Sequence, residues 1–211
     1  MKKVIFKGCG TAIITPFTED GVNFEEFRKM IEFQINEGVD SIVVCGTTAE
    51  SSTMSTEEKK ETIKFAIDVA NKRVPIIAGT GGNCTTSAIE MSKYAESVGA
   101  DAVLVVTPYY NKTTQAGLIA HYKAIAESIS IPVILYNVPG RTSKNMEPET
   151  TLRLAKDFKN IIGVKEAGNN IVQYYKLLKD KPDDFLIISG DDDLALGVVL
   201  AGGAGVISVI G

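Results

Sequence analysis

A lysine closes the apolar run in IIGVKEAG (161–168). Burying an ammonium is costly, so Lys165 either snorkels out to water or is used as an amine. Similar apolar runs end in other polar groups. CGTTAES carries Thr47 and Thr48, TPYYNK carries Tyr109 and Tyr110, and YNVPGRT carries Tyr136 and Arg141. SGDDD supplies Gly190 before three aspartates, and GVISVI supplies Ile207 and Ser208. Taken singly, each has a structural reading. Gly-Thr-Thr suits a turn whose hydroxyls satisfy loose backbone groups. Tyr136 suits a rim position with a wet hydroxyl, Arg141 an exposed loop, and Asp191–Asp193 a helix N-terminus.

Together they point to one chemistry. A lysine amine attacks a ketone only when neutral, which requires an apolar surround or a neighbouring cation. A tyrosine beside it can relay protons through carbinolamine and enamine steps. Adjacent threonines, with hydroxyls and N–H groups, can cradle the carboxylate of an α-keto acid. Arg141 can hold a second carboxylate in bidentate fashion. The combination implies Schiff-base carbon–carbon chemistry on pyruvate, with Lys165 itself forming the covalent intermediate and no cofactor or metal required.

The bulk properties narrow the field. The chain has 211 residues, 45% hydrophobic and 23% charged, with a formal net charge of -4. That mild acidity gives no sign of a nucleic-acid partner. No apolar run approaches the roughly 20 residues of a membrane-spanning helix. The start, MKKVIFKGCGTAIITPF, loosely mimics a signal peptide, but Lys7, two glycines and Pro16 break it, so a cytoplasmic protein is expected. Cys9, Cys45 and Cys84 show no metal or disulfide spacing and read as small buried side chains. The single histidine, His121, reads as a helix-surface residue and excludes a two-histidine metal site.

The elements that must position these groups repeat along the chain. Candidate strands cover 10–17, 41–46, 75–80, 102–108, 132–137, 161–166, 185–190 and 205–210. They are near-continuous apolar runs, as in parallel strands covered on both faces. Between them lie helical patterns with capping boxes predicted at Asn23–Glu26 and Ser55–Glu58, C-terminal glycines at 38 and 99, and Pro148 in a first turn. Eight βα units without a composition break predict one α/β domain, 1–211, a TIM (β/α)8 barrel. An open doubly wound sheet is the rival, but the first βα turn lacks its glycine fingerprint. The chain stops after the eighth strand, so the eighth helix and any C-terminal helical segment are absent from it. That predicts an open apolar face and a chain less stable and less active than a longer form. Gly202–Gly205 also raises a phosphate-binding barrel, although that motif precedes its strand.

These motifs resemble dihydrodipicolinate synthases, in the pyruvate-dependent class I aldolase superfamily. The resemblance runs from Gly10 to Gly211 through GTAIITPF, CGTTAES, AGTGGN, TPYYNK, YNVPGRT, IIGVKEA, SGDD and GGAGVISV, with Ala49 replacing one glycine of the usual Gly-Thr-Thr-Gly-Glu. It implies a lyase of lysine and diaminopimelate biosynthesis that joins pyruvate to aspartate semialdehyde. Lys165 resembles the Schiff-base lysine, and Tyr136 the proton relay linked to Thr47 and Tyr110. Tyr110 matches a tyrosine that enters the neighbouring subunit's active site. Thr47 and Thr48 match the pyruvate cradle, Arg141 the arginine binding the semialdehyde carboxylate, and Gly190 and Ile207 pocket-lining backbone. The implied partner is a second copy of the chain, as a tight homodimer within a homotetramer. A related lyase splitting a sugar acid is the nearest alternative, and an inactive barrel acting as a scaffold another. Ser51, Asn83 and Tyr109 match a lysine-inhibitor site. Thr56, Lys59 and Ser87 depart from it, which predicts weak or absent lysine feedback.

Overall fold

In the computed structural model, which describes residues 1–210, β1 (Gly8–Ala12) is followed by a hairpin of β2 (Phe17–Thr18) and β3 (Gly21–Val22). Next come α1 (Phe24–Asn36), β4 (Ser41–Val44), α2 (Thr56–Ala70), β5 (Ile76–Gly79), α3 (Thr85–Ser97), β6 (Ala102–Val106) and α4 (Gln115–Ala126). The second half runs through β7 (Val133–Asn137), one-turn α5 (Pro139–Thr142), α6 (Pro148–Asp157), β8 (Ile161–Glu166) and α7 (Ile171–Asp180). It finishes with β9 (Leu186–Ser189), α8 (Asp192–Leu200) and β10 (Gly205–Ser208). Eight parallel strands close on themselves in the order β1-β10-β9-β8-β7-β6-β5-β4, with β1 pairing β4. This is the predicted barrel, and closure removes the edges an open sheet would leave.

The apolar runs follow from strand alternation. Val43, Ile77, Leu104, Ile134 and Ile207 fill the barrel interior, whereas Ile42, Val44, Ile76, Val103, Val105 and Val133 pack under the helices. Both faces of each strand are buried, so successive residues must both be apolar. Among the described residues no helix follows β10. On α8, Leu196 and Leu200 are 72% and 78% exposed.

Several local expectations change. The first strand ends at Ala12 instead of Phe17, and Phe17 belongs to the hairpin that follows. Ser55 and Glu58 form a full capping box. At Asn23 only half of one forms: Asn23 accepts from the Glu26 N–H, but Glu26 turns to Lys29 at 2.7 Å. His121 is not on the surface. It is 5% exposed, with Nδ1 2.8 Å from the Thr85 hydroxyl, and burial lowers its pKa to about 4. Of the cysteines, Cys45 is buried, Cys9 half-buried and Cys84 exposed at the N-cap of α3. The Gly202–Gly205 turn lies at the N-terminal end of β10, where Gly205 (φ +150°) meets the backbone of Gly8. Close strand approach accounts for that glycine, and the turn sits at the opposite end of the strands from the polar groups named above.

Candidate active site

Lys165 points into the barrel because β8 carries a bulge. Tyr136 pairs with Lys165, Leu135 with Val164 and Ile134 with Gly163, but Val133 pairs with Ile161, leaving Ile162 extra. Ile161 and Val164 pack beneath the helices and Ile162 lies inside, so the alternation changes phase between 162 and 164. Without that extra residue, a strand with Ile162 inward would send Lys165 outward. Gly163 allows the arrangement, since a Cβ there would stand 2.8 Å from both the Cβ and the carbonyl oxygen of Leu186.

The side chain is 4% exposed, with Nζ 4.7 Å from the centre of the Tyr136 ring. Burial chiefly, with help from the Arg141 cation and opposed by the Asp192 carboxylate, lowers its pKa from 10.5 to about 8. At pH 7 that raises the neutral-amine share from about 0.03% to about 9%. Tyr136 is 7% exposed. Burial pushes its phenol up, against the pull of a hydrogen bond with Thr47 and the charge of Arg141. The phenol is therefore a proton donor at neutral pH.

Around these two groups the C-terminal ends of the strands frame a cavity of about 650 Å³, lined by Thr47, Thr48, Tyr136, Arg141, Lys165 and Gly190 among others. Arg141 reaches it from α5, where Pro139 starts a single turn that Ser143 ends in a left-handed conformation. Ile207 is fully buried in the interior cluster with Tyr136 and Ile188, and is not among the residues lining the cavity. Of the eight predicted residues, six thus line the cavity. Tyr110 does not: it is 88% exposed, with φ +69°, and lies outside the cavity lining.

Sequence reading passed over Asp192 as part of a helix N-terminus. Asp191 does cap α8, accepting from the Asp193 N–H at 3.1 Å. Asp192 also lines the cavity and acts on Lys165. The signal available was its place two residues after Gly190, at a strand's C-terminal end. A separate cavity of about 260 Å³ gathers Ser51, Thr56, Lys59, Asn83, Ser87 and Tyr109, the six positions weighed for lysine feedback.

Known proteins resemble this chain in sequence and fold. A 4-hydroxy-tetrahydrodipicolinate synthase of Acetivibrio thermocellus is 58% identical over the whole of this chain and 71% of its own length. One from Thermoanaerobacter sp. (strain X514) is 55% identical, over 97% of this chain and 69% of its own. The crystal structure of dihydrodipicolinate synthase from Aquifex aeolicus superposes with a TM-score of 0.96 at 44% identity, covering 97% of this chain and 70% of that one. The chain therefore spans about 70% of the length of these relatives. Residues 5–211 match the sequence model of the Dihydrodipicolinate synthetase family, and the chain belongs to that family.

Proposed function

We propose that this chain is a lyase that condenses pyruvate with L-aspartate 4-semialdehyde, through a Schiff base on Lys165, to give 4-hydroxy-tetrahydrodipicolinate. One observation carries the reading: a buried lysine, its pKa lowered to about 8, lies against a tyrosine at the mouth of the barrel. The neutral amine attacks the ketone carbon of pyruvate and the carbinolamine loses water. Removal of a methyl proton then gives the enamine, whose carbon adds to the aldehyde. The amino group of the semialdehyde then attacks the re-formed imine carbon, which closes the ring and expels the Lys165 amine. Tyr136, protonated and hydrogen-bonded with Thr47, supplies and retrieves the protons. Thr47 and Thr48 receive the pyruvate carboxylate, Arg141 the carboxylate of the semialdehyde, and Gly190 shapes the wall.

Lys165 is the covalent catalyst, so the reaction draws on no separate cofactor. Tyr110, exposed and in a strained turn, is free to enter the site of a second copy, and we assign it that role in a homodimer. No helix among the described residues is long and apolar enough to cross a membrane. The test is an assay of the purified chain with pyruvate and each of two aldehydes. Product is expected with aspartate semialdehyde. Turnover only with an amino-sugar aldehyde, or pyruvate release from a sugar acid, would assign the chain to another branch of the aldolase superfamily.

A further inference from the structure

Behind the barrel wall, a buried cluster of amides surrounds one carboxylate that the chemistry above does not use. Glu166 and Asn137 follow Lys165 and Tyr136 on β8 and β7, and the register pairs them with each other. Alternation therefore sends the Tyr136–Lys165 pair into the barrel and the Asn137–Glu166 pair outward. Glu166 is 1% exposed and Asn137 fully buried. Asn137 Nδ2 donates to both carboxylate oxygens, at 3.0 and 2.9 Å. Gln173 Nε2 donates to Oε2 and the Gly168 N–H to Oε1, each at 2.9 Å. Burial pushes the Glu166 carboxyl up, and these donors pull it back.

The contacts extend to the other groups of the site. Asn137 Oδ1 accepts from the Met146 N–H at 2.9 Å, and Asn137 Nδ2 also donates to Asn145 Oδ1 at 2.9 Å, which pins the end of the loop carrying Arg141. The Glu166 carbonyl accepts from the Gly190 N–H at 2.6 Å and from the Tyr174 hydroxyl. One cluster is thus bonded to the strands or loops that hold Tyr136, Lys165, Arg141 and Gly190. A buried carboxylate ringed by neutral amides is a poor device for stability alone, since apolar residues of similar volume avoid its desolvation cost.

We propose that Glu166, clamped by Asn137 and Gln173, is a positioning residue that holds Lys165, Tyr136 and the Arg141 loop in their working geometry. This rests on the Schiff-base reading of Lys165. The carboxylate accepts every hydrogen bond offered to it, so Glu166→Gln turns an amide against the donors, and Asn137→Asp sets two carboxylates face to face. Displacing reacting groups by about 1 Å costs up to about 10²-fold in rate, so each single change is expected to lower kcat about 10- to 100-fold, with a much smaller effect on the KM for pyruvate. The pH inflection of pyruvate-adduct formation should also move away from about 8.

The double variant E166Q/N137D exchanges carboxylate and amide across the pair. The amide introduced on β8 can then donate to the carboxylate introduced on β7, and part of the lost rate is expected to return, because one of the Gly168 and Gln173 donors still faces the new amide NH2. Gln173→Met removes one donor from outside the strand pair and is expected to lower kcat by less, about 3- to 10-fold. It decides the matter if the single variants do not fold. All are compared by steady-state kinetics and borohydride trapping of pyruvate, well below their melting temperatures. Variants that melt earlier but keep the parent's kcat and pH inflection would overturn the proposal. A parent chain that traps no pyruvate would overturn the Schiff-base reading instead.

Discussion

Replacing Lys165 with methionine should stabilise this protein at neutral pH, and the gain should shrink as pH rises. Lys165 is 4% exposed, and burial is the main cause of its pKa falling from 10.5 to about 8. Below pH 8 the amine is protonated in both folded and unfolded chains, so the native state carries the whole cost of the buried charge. That cost is about 3 kcal/mol from the size of the shift. Above pH 8 the folded protein releases the proton while the unfolded chain keeps it until about pH 10.5. The unfolded state then binds more protons, and the wild type gains stability with rising pH. Methionine removes the titration and nearly preserves the volume. It forfeits the contact with the Tyr136 ring, worth about 0.5–1 kcal/mol. A net gain of about 2–3 kcal/mol at pH 7 corresponds to roughly 5–10 °C in Tm for a domain of this size. The assay is paired thermal unfolding of the two proteins at several pH values between about 7 and 10.5, where their difference isolates Lys165. A methionine variant that melts lower at pH 7, or a difference that does not change with pH, would refute the reasoning.

Other substitutions probe neighbouring parts of the site. Tyr136→Phe removes the phenol but keeps the ring against Lys165. It should lower kcat about 10²- to 10³-fold in a condensation assay while borohydride still traps pyruvate. Gly163→Ala places a methyl 2.8 Å from the Leu186 carbonyl oxygen, so it should cost about 1–3 kcal/mol in denaturant unfolding and slow trapping at Lys165. Millimolar L-lysine should leave the condensation rate essentially unchanged, because Lys59 and Thr56 line the matching cavity and Ser87 offers no carboxylate for a cation. Strong inhibition in a lysine titration would contradict that account.

The barrel was legible because both faces of its strands are buried, which forces unbroken apolar runs such as AVLVV in β6. The convergence of Thr47, Tyr136, Arg141 and Lys165 was legible once those runs were taken as strands with a common polar end. What escaped was anything that depends on phase or on partners distant in sequence. IIGVKE does not announce that Ile162 is the extra residue turning Lys165 inward, since both faces of β8 are apolar there. The Glu166 clamp was equally hidden, because Asn137 and Gln173 become its neighbours only when the barrel closes and α7 folds over it. His121 looked like a helix-surface residue, yet α4 turns that side toward Thr85 on α3. Asp192 looked like helix chemistry, and it is near enough to Lys165 to oppose the fall in its pKa.

The central claim is that Lys165 is the amine that forms the adduct. The most direct measurement is borohydride reduction of the chain in the presence of pyruvate, followed by intact mass and peptide mapping, repeated across pH. The account predicts one added pyruvate-derived group, on the peptide containing Lys165, with a trapping rate that rises through an inflection near pH 8. No adduct, or an adduct on another lysine, would contradict it.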